Sequence, residues 1–336
     1  MSELTLPALR SDDPLGFLAA LGILEVLRSE IGAPEDDLAL GWEDVGGAAV
    51  LSAPFGNLGD LVDALHSAAV RMREEDRPVA ARAGDLVPRP LSAKERADLG
   101  AASGTKLPFD PVRMPREQSV ARIAALDPRA PGTDARWLCA LIDQCSTFPR
   151  ESTAHVTPLY APMGQQRMRQ IYEAKLRAVA ARADLIREAC SMWRRNPEDK
   201  GANLDRRAVR DAALTTTGKP SNAAVTGAEW LALQAVPWFR LGGVRDRPTA
   251  WGWVPTRPGG RPRALMWPVW RHLLGPPGIE VMITHPRIQR AGMGRRVSNR
   301  ELRALGVLAV LRAERTVLTN SDGPLGPGRV VWPSRG

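Results

Sequence analysis

The N-terminal part of the chain carries the helical repeat of apolar positions. From Asp13 to Ile31, apolar side chains recur every three or four residues, which is the spacing of one helix face. Asp13 and Pro14 are typical of a helix start, because a carboxylate caps free N–H groups and proline fits the first turn. Gly32 is typical of a helix end. We therefore predict a helix over residues 14–31 that is buried, either in the core or against a partner subunit.

Two glycines lie inside this apolar helix. Gly16 and Gly22 each cost helix stability, by up to about 1 kcal/mol relative to alanine. Their presence predicts that another segment of backbone packs closely against the helix.

Helical and strand-like patterns alternate along the rest of the first two thirds of the chain. Apolar runs at residues 38–42 and 48–53, separated by a polar turn, predict a hairpin. Helix caps are predicted at Asn57, Thr133 or Asp134, and Asp205. A further helix is expected at residues 165–194, and a short one is expected from Ser92. Residues 227–235 form a short apolar run that we expect to be buried.

The pattern changes toward strands after residue 236. Short aromatic runs at 236–241, 249–254 and 264–270 predict strands, and a β-branched run at 307–318 predicts a closing strand. Ser298 and Glu301 have the spacing of a capping box, which predicts a helix between these strands. Residues 323–336 are rich in glycine and proline and predict a loose tail.

These patterns together predict an α+β fold. It combines a helix-rich N-terminal part with a small hairpin and a C-terminal part with a small antiparallel sheet. Prolines break up residues 77–132 and suggest a boundary. We therefore predict an acidic helical and hairpin region over 1–130, ending in this proline-rich stretch, and a basic α+β region facing nucleic acid over 131–336.

Charge is distributed unevenly along the 336 residues. Residues 1–76 contain 4 basic and 15 acidic residues, whereas residues 240–303 contain 13 basic and 3 acidic residues. Arginine supplies 41 of the 46 basic residues, and the net charge is +9. The basic end favours a polyanion such as nucleic acid as its partner, and the acidic end favours a neighbouring protein.

The composition disfavours several classes of protein. No apolar stretch approaches the roughly 18 residues that cross a bilayer, and the acidic N-terminus lacks a signal-peptide pattern. The three cysteines and four histidines show no metal-binding spacing. We therefore expect a cytoplasmic protein with no metal, no cofactor and no membrane association.

No complete catalytic motif is found, so we predict a binding protein without catalytic residues. Residues 217–220 resemble the end of a phosphate loop, but Ala213 stands where that loop needs glycine, and proline follows the lysine. Arg150 and His155 have the spacing of the arginine–histidine pair in helical ribonuclease sites. A ribonuclease therefore stays an alternative, although nearby prolines disfavour a helix at this pair.

The strongest candidate for binding is the segment PRIQRAGMGRRVSNRELR, which holds six arginines within seventeen residues. Arginine gives bidentate contacts to phosphate or guanine, and the glycines let the backbone approach a phosphate closely. A second basic segment follows Asp205. The predicted nucleic-acid-binding residues are Arg287, Arg290, Arg295, Arg296, Arg300 and Arg303 in the first segment, and Arg206, Arg207, Arg210 and Lys219 in the second.

Tryptophans are concentrated in the predicted strands. Trp251, Trp253, Trp267 and Trp270 offer faces on which bases could stack. Their alternating strand positions favour the hydrophobic core instead.

Three parts of the sequence resemble proteins encoded with type I-G (formerly I-U) CRISPR effectors. The first and most specific is LPALRSDDPLGFLAALGILEVL; the others are LDRRAVRDAAL followed by GAEWLALQAVPWF, and the run ALMWPVW. Their order and spacing agree with that family over roughly residues 5–310. The chain departs from the family at residues 215–222, where a tryptophan and Asp-Pro-Ser are expected.

The resemblance implies a large-subunit or helicase-associated component of a Cascade-like complex in antiviral defence. Such a subunit is not catalytic: it binds guide RNA and target DNA, contacts other effector subunits and docks the helicase–nuclease, while guide pairing reads the sequence. The alternatives are a ribonuclease or guide-processing enzyme that uses Arg150 and His155, and an architectural nucleic-acid-binding protein unrelated to CRISPR.

Overall fold

The structure is a computed structural model that describes residues 2–74, 133–147, 154–161, 168–210, 221–244, 247–257, 260, 262–317 and 322–333. The helix predicted from Ser92 and the proline-rich stretch at 77–132 lie outside these ranges. Within them the fold is α+β, as the sequence predicts.

Helices alternate with short strands through the described ranges. The helices are α1 (Pro14–Val26), α2 (Leu58–Glu74), α3 (Thr133–Leu141), α4 (Met168–Ala181), α5 (Asp184–Ser191), α6 (Thr226–Gln234), α7 (Pro276–Thr284), α8 (Pro286–Gly292) and α9 (Asn299–Ala304). The strands are β1 (Ser2–Arg10), β2 (Ala39–Trp42), β3 (Ala48–Ala53), β4 (Ile142–Thr147), β5 (Ala154–Val156), β6 (Val209–Arg210), β7 (Ser221–Asn222), β8 (Leu241–Val244), β9 (Arg247–Ala250), β10 (Trp253–Pro255), β11 (Pro262–Trp270), β12 (Val307–Val317), β13 (Asp322–Leu325) and β14 (Arg329–Trp332).

Helix α1 confirms the prediction for residues 14–31. The Asp13 carboxylate accepts a hydrogen bond from the backbone N of Leu15 at 3.0 Å, and every residue of the helix is buried. A π-helical turn, Leu27–Ile31, continues it, and Gly32 ends it at a φ of 72°. The helix is buried in the core of this chain itself.

Close backbone packing at the helix glycines is also confirmed. A Cβ atom at Gly22 would lie 1.7 Å from the carbonyl oxygen of Leu231 in α6. A Cβ atom at Gly16 would lie 2.8 Å from the backbone of Arg10 in β1. Both distances are far inside contact range, so glycine lets α1 pack directly against two neighbouring backbones.

The N-terminal sheet has the antiparallel order β1–β3–β2. The hairpin of β2 and β3 and the Asn57 cap of α2 are confirmed, since the Asn57 side chain accepts from the backbone N of Asp60 at 3.1 Å. Strand β1 is an addition that the sequence analysis did not predict. The pairing of β1 with β3 shifts register between Leu6 and Arg10. Pro7 lies in this interval, and proline weakens the sequence signal for a strand.

The C-terminal sheet has the antiparallel order β13–β12–β11–β10–β9–β8, with β14 beside β12. Strands β11 and β12 confirm the predictions at 264–270 and 307–318. The predicted loose tail is wrong: its first part forms β13 and β14, which bury Leu325 and Trp332 against the sheet. The strand predicted at 249–254 is split by a turn at Gly252, where φ is 68°.

Several predicted helices and strands have different bounds. Residues 236–238 form a 3₁₀ turn, Val236–Trp238, in which Pro237 occupies the first turn, and the strand begins only at Leu241. The helix predicted over 165–194 is two helices, α4 and α5, and the helix after Thr133 ends at Leu141. The helix predicted from Asp205 is a single 3₁₀ turn, Arg206–Ala208, followed by β6.

An aromatic cluster joins the N-terminal and C-terminal parts. The ring of Phe17 in α1 stacks against Trp42 in β2 and against Trp267 in β11, at centroid distances of 6.0 and 5.7 Å. The indole N–H of Trp267 donates to the carbonyl of Ser11, and that of Trp270 donates to the carbonyl of Leu40, both at 2.8 Å. Buried residues from both sides of the boundary predicted at residue 130 therefore form one hydrophobic cluster.

The strand tryptophans lie mostly in this core. Trp253, Trp267 and Trp270 are buried, so their rings are not available to stack on bases; Trp251 is 39% exposed. Within the described ranges, no helix combines the length and the apolar character needed to cross a membrane.

Candidate nucleic-acid interface

The predicted basic segment forms a fixed surface feature, which we call the arginine loop: α8, residues 293–298 and α9. Helix α8 buries Ile288 and Ala291. A Cβ atom at Gly292 would lie 2.1 Å from Cγ of Met266, so glycine allows α8 to approach β11 closely. The chain then turns at Gly294, where φ is 71°.

The second half of the arginine loop is tied to the same sheet. Leu302 of α9 is buried, and α9 packs against β12. The indole N–H of Trp332 in β14 donates to the side-chain oxygen of Asn299 at 2.7 Å. The sheet therefore holds the loop backbone in place and leaves its polar side facing solvent.

Five of the six arginines of the loop have no acidic partner within the described residues. Arg287 forms an ion pair with Glu301. The predicted capping box is wrong, because Ser298 makes no side-chain cap hydrogen bond and Glu301 binds Arg287 instead. The exposed arginines without a carboxylate partner among the described residues are Arg290, Arg295, Arg296, Arg300 and Arg303.

Arg207 of the second basic segment is already paired with carboxylates of this chain. Its guanidinium forms ion pairs with Asp13 and with Asp205, the latter at 3.0 Å, and lies 5.3 Å from the ring centroid of Trp193. Burial raises the pKa of the Asp13 carboxyl, although Arg207 acts in the opposite direction. Burial also acts to raise the pKa of Asp205, but hydrogen bonds from Arg195 and Arg207 outweigh it and hold that pKa below its usual value.

The other three predicted binding residues of that segment lie in different surroundings. Arg206 is exposed and forms no ion pair within the described residues. Arg210 lies on β6, and Lys219 lies outside the described residues. Up to residue 210, where the described part of this segment ends, the chain forms a 3₁₀ turn and a short strand instead of a basic helix. Arg206 is exposed there and has no carboxylate partner among the described residues.

Arg206 lines two cavities, and residues 326–327 line both of them as well. The first, of about 500 Å³, mixes arginines with the carboxylates of Asp12, Asp13 and Asp205. The second, of about 470 Å³, we call the β14 groove. Its polar lining residues are Arg206, Arg312, Glu314, Arg315, Thr316 and Arg329.

Beneath the β14 groove, Arg315 is a buried cation held by backbone carbonyls. Its guanidinium donates at 3.0 Å to the carbonyls of Pro158, Leu159, Asn203 and Gly323. Burial lowers its pKa to about 10, so it stays charged at neutral pH. It ties three chain segments together.

A further charged cluster, which the sequence did not reveal, lies under a cavity of about 430 Å³ beside α4. Lys175 is buried and forms ion pairs with Asp199 and Glu229. The Glu229 carboxylate accepts from the backbone N of Ala202 at 3.1 and 3.0 Å, and Asp199 accepts from the Thr226 hydroxyl at 2.6 Å. Each of these charged groups is paired within the protein, so the cluster stabilises the fold and leaves no free charge for a ligand.

The ribonuclease alternative receives no support from the described residues. Arg150 and the phosphate-loop-like residues 217–220 lie outside them. The backbone of His155 pairs with Asp143 in the β4–β5 ladder, which is a strand environment and not a helix face. Among the described side chains, no group of three His, Cys, Asp or Glu residues is arranged to hold a metal ion.

Comparisons with known proteins add no assignment. No family model matches this chain, and neither the curated proteins nor the solved structures give a similar sequence or fold.

Proposed function

We propose that this chain is a nucleic-acid-binding protein without catalysis of its own, and that it contacts the phosphate backbone through the arginine loop. The observation that carries the proposal is the set of five exposed arginines that have no carboxylate partner among the described residues, on a loop fixed to the sheet. Unpaired guanidinium groups held by a rigid support are suited to polyanion binding.

The finer proposal is a subunit of a type I CRISPR interference complex that binds guide RNA and target DNA. It rests on the sequence resemblance together with the distribution of charge. The N-terminal part exposes Asp36, Glu43 and Asp44, whereas the arginine loop lies in the C-terminal part. A neighbouring effector subunit, or the helicase–nuclease, would dock on the acidic part while the basic part holds nucleic acid.

Salt-dependent binding tests the arginine loop. Each phosphate contact should contribute about 0.7 to 0.9 to the slope of log affinity against log salt. Changing Arg295, Arg296 and Arg300 together to alanine should flatten that slope by about 2–3 units, with a similar loss for unrelated sequences. Fluorescence anisotropy with single-stranded RNA and with duplex DNA measures it.

A matched control removes the same charge elsewhere. Arg177, Arg187 and Arg194 are exposed on or next to α4 and α5, and their triple alanine variant should keep the slope of the unsubstituted protein. Equal flattening in both variants would show a general charge effect and contradict the assignment. Absence of RNA and DNA binding by the unsubstituted protein at low salt would overturn the proposed function.

Co-purification tests the CRISPR assignment separately. Tagged chain should isolate the effector subunits encoded beside its gene, together with guide RNA. Nucleic-acid binding without any such subunit would favour the architectural alternative.

A further inference from the structure

The β14 groove contains an arrangement of charge that is unfavourable by itself. Arg312 in β12 and Arg329 in β14 are direct cross-strand partners, so their side chains leave the same face of the sheet with Cβ atoms roughly 4.5–5.5 Å apart. Like charges placed directly opposite destabilise a strand pair. An anion between the two guanidinium groups would remove this repulsion.

Neutralisation within the groove is incomplete. Glu314 forms an ion pair with Arg312, but its side chain is 54% exposed. Arg206 and Arg329 form no ion pair or hydrogen bond through their side chains within the described part of the chain. Of the four arginines that line the groove, Arg315 is taken up by backbone carbonyls. The other three share one carboxylate, that of Glu314, and lie beside the hydroxyl of Thr316.

The groove is joined to the arginine loop by strand β14. Arg329 begins this strand and lines the groove, whereas Trp332 ends it and holds Asn299 of α9. Three residues of strand cover roughly 10 Å. A backbone lying along the arginine loop thus needs only a short continuation to enter the groove.

We propose that the β14 groove is a second phosphate-binding site, in which the backbone of the bound nucleic acid places a phosphate among Arg206, Arg312 and Arg329. This inference rests on the proposed function and extends it: the nucleic acid would run from the arginine loop across β14 to the groove. Neither Arg312 nor Arg329 belongs to the basic segments seen in the sequence.

The test uses the full chain with Arg206 and Arg329 both changed to alanine. Both side chains are exposed and without partners in the described structure, so the fold should be retained, as circular dichroism will check. With single-stranded RNA and duplex DNA, the salt slope should fall by about 1.4–1.8, which corresponds to two lost contacts. The double lysine variant keeps both charges and should keep most of the slope.

The outcomes separate the groove from the proposed function. An unchanged slope in the Arg206/Arg329 variant, with the expected flattening in the Arg295/Arg296/Arg300 variant, would overturn the groove and leave the proposed function standing. If the unsubstituted protein binds neither RNA nor DNA, the proposed function fails and the groove does not hold a nucleic-acid phosphate. In that case, melting temperatures in phosphate and in chloride at equal ionic strength decide the source of the anion: a phosphate-dependent rise that the double alanine variant loses would assign the groove to free phosphate.

Discussion

Lys175 is a buried cation whose two carboxylate partners come from different parts of the fold. Asp199 belongs to the loop after α5, and Glu229 belongs to α6. Burial raises the pKa of Glu229, and Lys175 opposes that rise. Burial also acts to raise the pKa of Asp199, but Lys175 outweighs it and the pKa is lowered. The ammonium group thereby allows a fully buried glutamate to sit beside a second carboxylate.

Changing Lys175 to methionine should lower the free energy of unfolding by about 3–5 kcal/mol, because it leaves buried carboxylates without their counter-ion. Urea unfolding measures the loss. Adding Glu229→Gln to this variant should recover part of it, since the uncompensated charge is then removed. Arg182→Met, which breaks an exposed ion pair with Asp184, serves as the control and should change little. Equal losses in Lys175→Met and Arg182→Met would contradict the role assigned to Lys175.

The same variant should show a characteristic dependence on pH. Without Lys175, the pKa of Glu229 in the folded state rises further above its unfolded value. Such a group stabilises the fold below its unfolded pKa and loses that contribution as pH rises through the folded pKa. The difference in unfolding free energy between the variant and the unsubstituted protein should therefore be smaller at mildly acidic pH than at mildly alkaline pH. A difference that is constant with pH would assign the loss to packing alone.

At the scale of elements, the contact between α1 and α6 depends on one missing methyl group. Gly22→Ala would place a Cβ atom onto the backbone of Leu231, so the helices must separate. We expect a loss of about 1–3 kcal/mol or more in urea unfolding. Gly278→Ala in α7 is the matched control: its nearest neighbour atom would lie at 3.5 Å, and the better helix propensity of alanine should leave stability unchanged or raise it by up to about 1 kcal/mol. A Gly22→Ala variant as stable as Gly278→Ala would show that the contact is loose.

Elements with strong local signals could be predicted from the sequence. Helix α1 has a cap, a proline, a repeat and a glycine end, and β11 is a dense apolar run, so each is fixed by its own residues. Strands β13 and β14 could not be predicted, because Gly323, Pro324, Pro327 and Gly328 are typical of loops. They become strands because β12 is long enough to offer them backbone partners.

The candidate nucleic-acid interface also has one part that the sequence predicts and one part that it does not. The arginine loop stands out because its arginines are close in sequence. The β14 groove does not stand out, because its arginines are far apart in sequence. Arg206, Arg312 and Arg329 line one cavity only because β12 pairs with β14 and the turn after Asp205 lies beside them. Neither the neutralisation of Arg207 by Asp13 nor the ion pair of Arg287 with Glu301 follows from local sequence. Long-range pairing decides which arginines remain available.

At the scale of the whole molecule, the shared aromatic cluster predicts joint unfolding. Phe17 contacts rings from both ends of the chain, so the two parts should melt as one unit. Far-ultraviolet circular dichroism and tryptophan fluorescence should give the same urea midpoint, and Phe17→Ala should lower both midpoints together, with a loss of about 3–5 kcal/mol. Two separate transitions, or a shift in only one probe, would show that the parts fold independently.

Helix α1 is made long before the sheet residues that pack against it, and this order matters during synthesis. Helix α1 is buried on every face and carries a single charged residue, Glu25. The hydrogen bond from Trp267 to Ser11 joins residues 256 positions apart. At about 5–20 residues per second, a ribosome needs roughly 10–50 s to make that interval. Throughout this time Trp267, which packs against α1 in the folded protein, has not yet been made. Newly made chains should therefore bind chaperones through their first thirty residues, and should release them only when the sheet has left the ribosome.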